Sequence, residues 1–139
     1  MHDETSKELR TTLTSAGKLE LSIVTVPMPE PREGEVLVRV EASPINPSDL
    51  GLLLGPADVS SLSITGSGDN TVASMDVPEA MMPAMQARLD AALPVGNEGA
   101  GVVIAAGAGA EHLVGQTIGV AGGAMYSQYR CVPAASCIV

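Results

Sequence analysis

Two short polar stretches hold the residue types that could do chemistry in this chain: "INPSDL" at 45–50 and "GNEGAG" at 96–101. Each sets a carboxamide, Asn46 or Asn97, close to a carboxylate, Asp49 or Glu98, and Ser48 adds a hydroxyl to the first. If both faced one cleft, amide and carboxylate together would offer a ligand hydrogen-bond donors and acceptors. The same residues also explain themselves without a ligand. Asn46 and Asp49 suit a turn whose backbone they bond, and Asn97 precedes a glycine corner. A phenol is available at Tyr126, in the Gly-flanked "GGAMYSQY" at 122–129, and it serves equally well as packing. Residue chemistry leaves these alternatives open.

Other constellations are missing from the sequence. A zinc site takes three or four well-spaced thiolates, imidazoles or carboxylates. Besides carboxylates the chain offers His2, His112, Cys131 and Cys137, and no two of these form a metal-binding pair. A dinucleotide turn needs G-x-G-x-x-G between a strand and a helix. "GSGDNT" at 66–71, "GAGVVI" at 99–104 and "GAGAEH" at 107–112 each miss the third glycine, so they read as turns and barrel corners. Two cysteines make no disulfide framework, and both are expected reduced.

The elements that must position the polar stretches are mostly strands. "KLELSIVTV" at 18–26 and "GEVLVRVEA" at 34–42 read as two antiparallel strands joined by a loop rich in proline. Residues 99–106, 117–121 and 124–132 are further short strands between Gly-rich turns, a spacing that suits a compact barrel or sandwich. Gly99, Gly101, Gly122 and Gly123 suit tight corners of such a barrel. Residues 55–77, rich in Ser, Gly, Asp and Thr, read as one long loop. In "MMPAMQARLDAALP" the stripe Met81, Met85, Leu89, Leu93 predicts one helix near 83–93.

Composition bounds the function. The 139 residues amount to one domain, with a core of Val, Leu, Ile, Met and Ala because there is no Phe or Trp. A net charge of −9 argues against nucleic acid and against an anionic membrane surface. Apolar runs fall short of a membrane span, and "MHDETSKELR" lacks the apolar segment of a signal peptide, so a cytoplasmic setting is expected.

Three segments in order, "GEVLVRVEASPINPSDL", "PVGNEGAGVVIAAG" and "GQTIGVAGGAMYSQYRCVPAASCIV", resemble the N-terminal catalytic domain of medium-chain dehydrogenases/reductases, nearest the zinc-independent quinone oxidoreductase branch. The resemblance covers most of 18–54 and 94–139. It implies a mainly β fold, a GroES-like, partly open β-barrel with one or two short helices. It also implies NADPH as hydride donor, and a quinone or conjugated carbonyl as small-molecule substrate. Zinc-dependent members carry a Cys ligand where this chain has Asn46 and a His ligand where it has Asn97. The resemblance therefore implies no zinc, and it assigns Asn46 to the pocket near the nicotinamide, with Tyr126 as a second catalytic candidate. Ser48, Asp49, Asn97 and Glu98 fall at positions around that pocket.

The chain departs from the branch in two places. Many quinone reductases have a Tyr within "NPxDxY", where this chain has Gly51, and residues 55–93 are longer than the usual connection and read as an insertion. The chain also stops where members continue into a Rossmann cofactor domain. The expectation is a catalytic-domain fragment, inactive alone, of an NADPH-dependent oxidoreductase, with a homo-oligomer compatible. The alternatives are a zinc alcohol dehydrogenase domain and a free-standing GroES-like binding or assembly module.

Overall fold

The structure, a computed structural model, describes residues 4–139; His2 and the rest of the opening tripeptide lie outside the described residues. The described chain is mainly β, with strands β1 (Thr5–Leu13), β2 (Lys18–Pro27) and β3 (Glu35–Ala42), then helix α1 (Pro47–Leu53). There follow β4 (Asp58–Thr65), β5 (Val72–Asp76), β6 (Leu93–Pro94), β7 (Glu98–Ala106), β8 (Thr117–Ala121), β9 (Tyr129–Pro133) and β10 (Cys137–Ile138). They form two five-stranded sheets, ordered β4-β5-β2-β1-β6 and β10-β8-β7-β3-β9. The described chain packs as two compact units, residues 4–8, 25–45 and 96–139 in the first, and residues 9–24 and 46–95 in the second. No described helix is long and apolar enough to cross a membrane.

In the first unit β3 lies between β7 and β9, antiparallel to both. Its alternation puts Val36 and Val38 wholly inside, with Val103, Ile118, Val120, Met125 and Val132 from the neighbouring segments. Burying each such side chain contributes about 1.5–3 kcal/mol. Without large rings the strands must come close, and glycine permits it. A Cβ at Gly99 would sit 2.7 Å from Met125 Cβ, and one at Gly101 would run into the Arg39 carbonyl oxygen. Both glycines therefore lie inside β7 rather than at corners, correcting that expectation; Gly122 and Gly123 do form the turn after β8. The strand expected at 124–132 is only Tyr129–Pro133, because Ala124 takes a left-handed conformation at φ 54°. Buried Glu8 receives the Arg130 Nη2 at 2.8 Å, and Arg130 also donates through Nε and Nη2 to the Ala124 carbonyl at 3.1 and 2.8 Å.

The second unit packs Leu13, Leu19, Met75 and Val77, with Leu54, Met82, Met85 and Leu89 against them. Three expectations fail here or at its margin. The loop expected over 55–77 is a hairpin, β4 and β5, closed by a 3₁₀ turn at Gly68–Asn70. The helix expected near 83–93 is a run of 3₁₀ turns at Glu79–Arg88 with Pro83 inside it. Met82, Met85 and Leu89 pack against the core while Met81 is exposed, so the core-facing stripe runs through Met82 rather than Met81. The run ends where Leu89 becomes extended and Asp90 left-handed at φ 59°, and Leu93–Pro94 then pairs with β1. Finally, β2 and β3 are not a hairpin: β2 pairs with β5, and β3 belongs to the other sheet. Pro27, Pro29 and Pro31 between them break the ladder by removing backbone donors.

Candidate functional site

The first polar stretch is a helix start. Asn46 is the N-cap of α1, in extended backbone at φ −94° and ψ 156°; Pro47 fills the first helical position and Asp49 the third. The Asn46 backbone N–H donates to Asp49 Oδ2 at 2.8 Å, and the Asp49 N–H donates to the Asn46 carbonyl at 2.9 Å. This is a capping box, with proline where a helix has no use for an N–H. Asp49 is buried at 3% exposure, its charge placed against the positive end of the helix. Asn46 is half-buried and Ser48 exposed. Of the three, Asp49 has an architectural task in view.

The second stretch is a strand start. Val95 and Gly96 are buried, while Asn97 and Glu98 are exposed as β7 begins. The Asn97 carbonyl accepts from the Gly122 N–H, so its backbone closes the turn after β8. Gly96 sits at φ +109°, and a Cβ on it would lie 2.6 Å from the Tyr126 nitrogen and 2.8 Å from its ring. Tyr126 is therefore seated on Gly96, and its hydroxyl donates to the Pro44 carbonyl at 2.8 Å. Nearby, Ser43 Oγ donates to the Met125 carbonyl at 2.8 Å. Within the first unit the fold thus gathers Asn97, Glu98 and Tyr126 with Ser43 and Pro44.

A cleft of about 450 Å³ opens beside them, walled by Ala42, Pro44, Gly99, Val120 and Ile138, with Glu98 as its charged residue. An apolar wall with one carboxylate suits a small, mostly apolar ligand. Pro44, Ser43 and Ile138 are the residues that sequence reasoning missed; only their neighbourhood to "INPSDL" or to the strand at 137 could have pointed to them. The second unit has a wider cleft of about 610 Å³ by the β1–β2 turn, where Lys18 pairs with Asp76.

Other chemistry finds less support. Burial and the nearby Glu35 carboxylate push the Cys131 thiol up to about 11, against an opposing pull from Arg130, and burial also raises Cys137. Neither is a ready thiolate at neutral pH. Among the described residues no three of His, Cys, Asp and Glu converge as a metal site, and His112 lies exposed in the single turn Glu111–Leu113. The places that the resemblance gives to zinc ligands hold the carboxamides of Asn46 and Asn97, so the donor set does not fit zinc. None of the three Gly-rich stretches is a strand–turn–helix. Residues 66–71 turn the β4–β5 hairpin, 99–104 run within β7, and 107–112 lead into one 3₁₀ turn.

No protein-family model matches the chain. A stretch of 34 residues, 24% of this chain and 10% of the relative, is 56% identical to a zinc-type alcohol dehydrogenase-like protein of Schizosaccharomyces pombe. Among solved structures, a putative NADPH:quinone reductase of Mesorhizobium loti aligns over 99% of this chain and 37% of its own, at 22% identity and a TM-score of 0.60. The quinone oxidoreductase of Coxiella burnetii aligns over 96% and 36%, at 19% identity and 0.58. A mycobacterial protein solved with NADPH aligns over 95% and 31%, at 21% and 0.56. The chain spans roughly a third of the length of these solved proteins, and at such identities the likeness is one of fold. The GroES-like β domain expected from the resemblance to medium-chain dehydrogenases/reductases is the fold this chain has, and its solved neighbours are NADPH:quinone oxidoreductase-like proteins.

Proposed function

We propose that the chain is the substrate-side domain of an NADPH-dependent oxidoreductase that passes hydride to a quinone or conjugated carbonyl without zinc. The observation that carries this reading is the pair of carboxamides, Asn46 and Asn97, at the two ligand places of a fold otherwise shared with dehydrogenases/reductases. NADPH, when bound, supplies the hydride; recognition of its pyrophosphate falls to another part of a longer protein, because no Gly-rich turn here opens a helix.

With no metal, the acceptor oxygen that gains charge must be met by hydrogen-bond donors, and its proton must come from a side chain or from water. The Asn46 amide is the donor assigned by the resemblance. Its position at the N-cap of α1 fixes its backbone before any ligand arrives, a form of preorganisation. Tyr126 is the runner-up for that role, and its O–H would exchange the Pro44 carbonyl for the acceptor. Glu98 and the apolar cleft beside Pro44 suit a quinone ring.

The test is NADPH oxidation with a simple quinone by the full-length protein, comparing wild type with Asn46→Ser and Asn46→Ala. Serine caps a helix about as well as asparagine but lacks the amide, so it separates catalysis from folding. Rates should fall by about tenfold to a thousandfold in both variants. Unchanged kcat and KM in both would leave Asn46 as a helix cap only. The match to a zinc-type alcohol dehydrogenase-like protein favours a second reading, a zinc enzyme domain. Elemental analysis decides between them: a zinc-to-protein ratio near one, lost on mutating Asn46 or Asn97, would replace the zinc-free reading.

A further inference from the structure

Among the described residues of the first unit, Ala124 is the one residue other than glycine in the left-handed region, at φ 54°. It closes a run of three, after Gly122 at φ 87° and Gly123 at φ 82°. Glycine adopts that conformation freely, whereas a Cβ makes it costly, so Ala124 must be held. Arg130 supplies the hold. Its Nε and Nη2 both donate to the Ala124 carbonyl, at 3.1 and 2.8 Å, and a planar fork on one oxygen fixes the direction of that peptide. The fork is itself aimed, because Arg130 Nη2 lies 2.8 Å from Oε2 of Glu8, which is 5% exposed. Next to Glu8, the Lys7 N–H donates to Gln128 Oε1 at 3.0 Å, and the Gln128 N–H donates to the Lys7 carbonyl at 2.9 Å. A buried ion pair gains little net stability over an apolar contact of the same size. What this pair supplies is direction.

Tyr126 follows Ala124 by two residues, and the link between them is equally fixed. The Met125 N–H donates to the Gly96 carbonyl at 3.0 Å, and the Met125 carbonyl accepts from Ser43 Oγ at 2.8 Å. Tyr126 packs on Gly96 and donates to the carbonyl of Pro44, a wall of the cleft of about 450 Å³. We propose that Arg130, aimed by Glu8, is a positioning residue: it holds Ala124 left-handed and so sets the Tyr126 phenol beside the cleft. Arg130 does not line the cleft, so it acts through the backbone rather than on a ligand. Without the fork, Ala124 relaxes into an ordinary conformation and the chain that follows turns with it. A phenol displaced by about 1 Å then meets an acceptor poorly. The placement of Tyr126 stands on the geometry of the first unit alone. Its effect on turnover rests on the hydride-transfer reading, in which Tyr126 is the runner-up donor to the acceptor oxygen.

The experiment combines Glu8→Gln with Arg130→Met, which removes the fork without stranding a buried carboxylate, and adds Ala124→Gly in a second variant. Glycine takes the left-handed conformation unaided, so it should rescue what depends on the turn and nothing that depends on the ion pair. The chain has no Trp, and Tyr126 and Tyr129 are its two tyrosines. In a Tyr129→Phe background the near-ultraviolet circular dichroism of this chain therefore reads Tyr126 alone. That band should be lost in the Glu8→Gln, Arg130→Met variant and return with Ala124→Gly, while far-ultraviolet spectra stay alike. In the full-length protein, kcat for NADPH oxidation with a simple quinone should fall roughly tenfold to a hundredfold and recover with Ala124→Gly, the KM for NADPH being unchanged throughout. Tyr126→Phe should lose as much, and adding the other substitutions to it should cost nothing more. A band unchanged without the fork, as a merely stabilising pair would leave it, overturns the proposal, and so does a band that Ala124→Gly fails to restore. A band that follows the expected course beside a rate indifferent to Tyr126→Phe upholds the positioning and removes Tyr126 from the hydride-transfer reading.

Discussion

The two polar stretches look alike as strings, each an asparagine and an acid close to glycine, yet the fold uses them in opposite ways. At 45–50 the architecture rests on a side chain: Asp49 is buried and holds the Asn46 N–H, and the helix starts from that contact. At 96–101 it rests on missing side chains. Gly96 lets Tyr126 settle onto the backbone and Gly99 lets Met125 approach, while Asn97 and Glu98 stay outside. An acid is thus buried in the fold in one place and exposed in the other. Exposure of Glu98 beside an apolar cleft makes it the better candidate for contact with a ligand, and burial of Asp49 makes it the worse one.

The sharpest way to break this contrast is at Gly96. Gly96→Ala adds a Cβ to a residue at φ +109° and 2.6 Å from the Tyr126 nitrogen, combining backbone strain with overlap. A loss of about 3 kcal/mol is expected in denaturant unfolding; a loss under about 1 kcal/mol would mean that the glycine is not what seats Tyr126. Next comes the pair of acids. Asp49→Ala should lose about 1–2 kcal/mol through the broken capping box, whereas Glu98→Ala should stay within about 0.5 kcal/mol. Equal losses would erase the distinction between the two stretches.

A smaller effect separates the two tasks of Asn46: Asn46→Ala should lose about 1 kcal/mol and Asn46→Ser almost nothing, read from the same unfolding curves. The last concerns the first unit alone. Cys131 is raised to about 11 in the fold, so the folded state holds its proton more tightly than the unfolded chain. Its stabilisation is complete below the thiol's ordinary value near 9 and is lost as pH rises from there through 11. Unfolding curves at rising alkaline pH should show a decline that Cys131→Ser flattens, and iodoacetamide should modify native Cys131 slowly at pH 9, where only about one molecule in a hundred carries the thiolate. A flat profile in wild type would show that the unit's edge is more open than its burial implies.

Much of this was readable from residues. β3 and β8 follow from alternation in the sequence; in β8 burial alternates with it, whereas in β3 Leu37 is buried along with Val36 and Val38. The β4–β5 hairpin was hidden because β4 is exposed on both faces, so no alternation marks it and its serines look like loop. The α1 helix was hidden for the opposite reason. Asn46, Pro47 and Asp49 spell a helix start as clearly as a turn, and Gly51 in its interior lowers the helical signal. Tyr126 over Gly96, and the Pro44 carbonyl that accepts its hydrogen bond, join segments some 30 and 80 residues apart, and no local pattern records such a meeting.

The order of β3 between β7 and β9 also sets a timetable. As the chain leaves the ribosome, β3 is made early, but both of its partners come from the last third of the sequence. Synthesis proceeds at roughly 5–20 residues per second, so "VLVRV" waits on the order of ten seconds with both edges unpaired. Every segment of the second unit has been made by residue 95, well before that. Pairings of such long sequence separation form late and slowly. Aggregation of the nascent protein should therefore begin at β3, and slowing translation after residue 95 should lengthen the exposure of that strand without delaying the second unit.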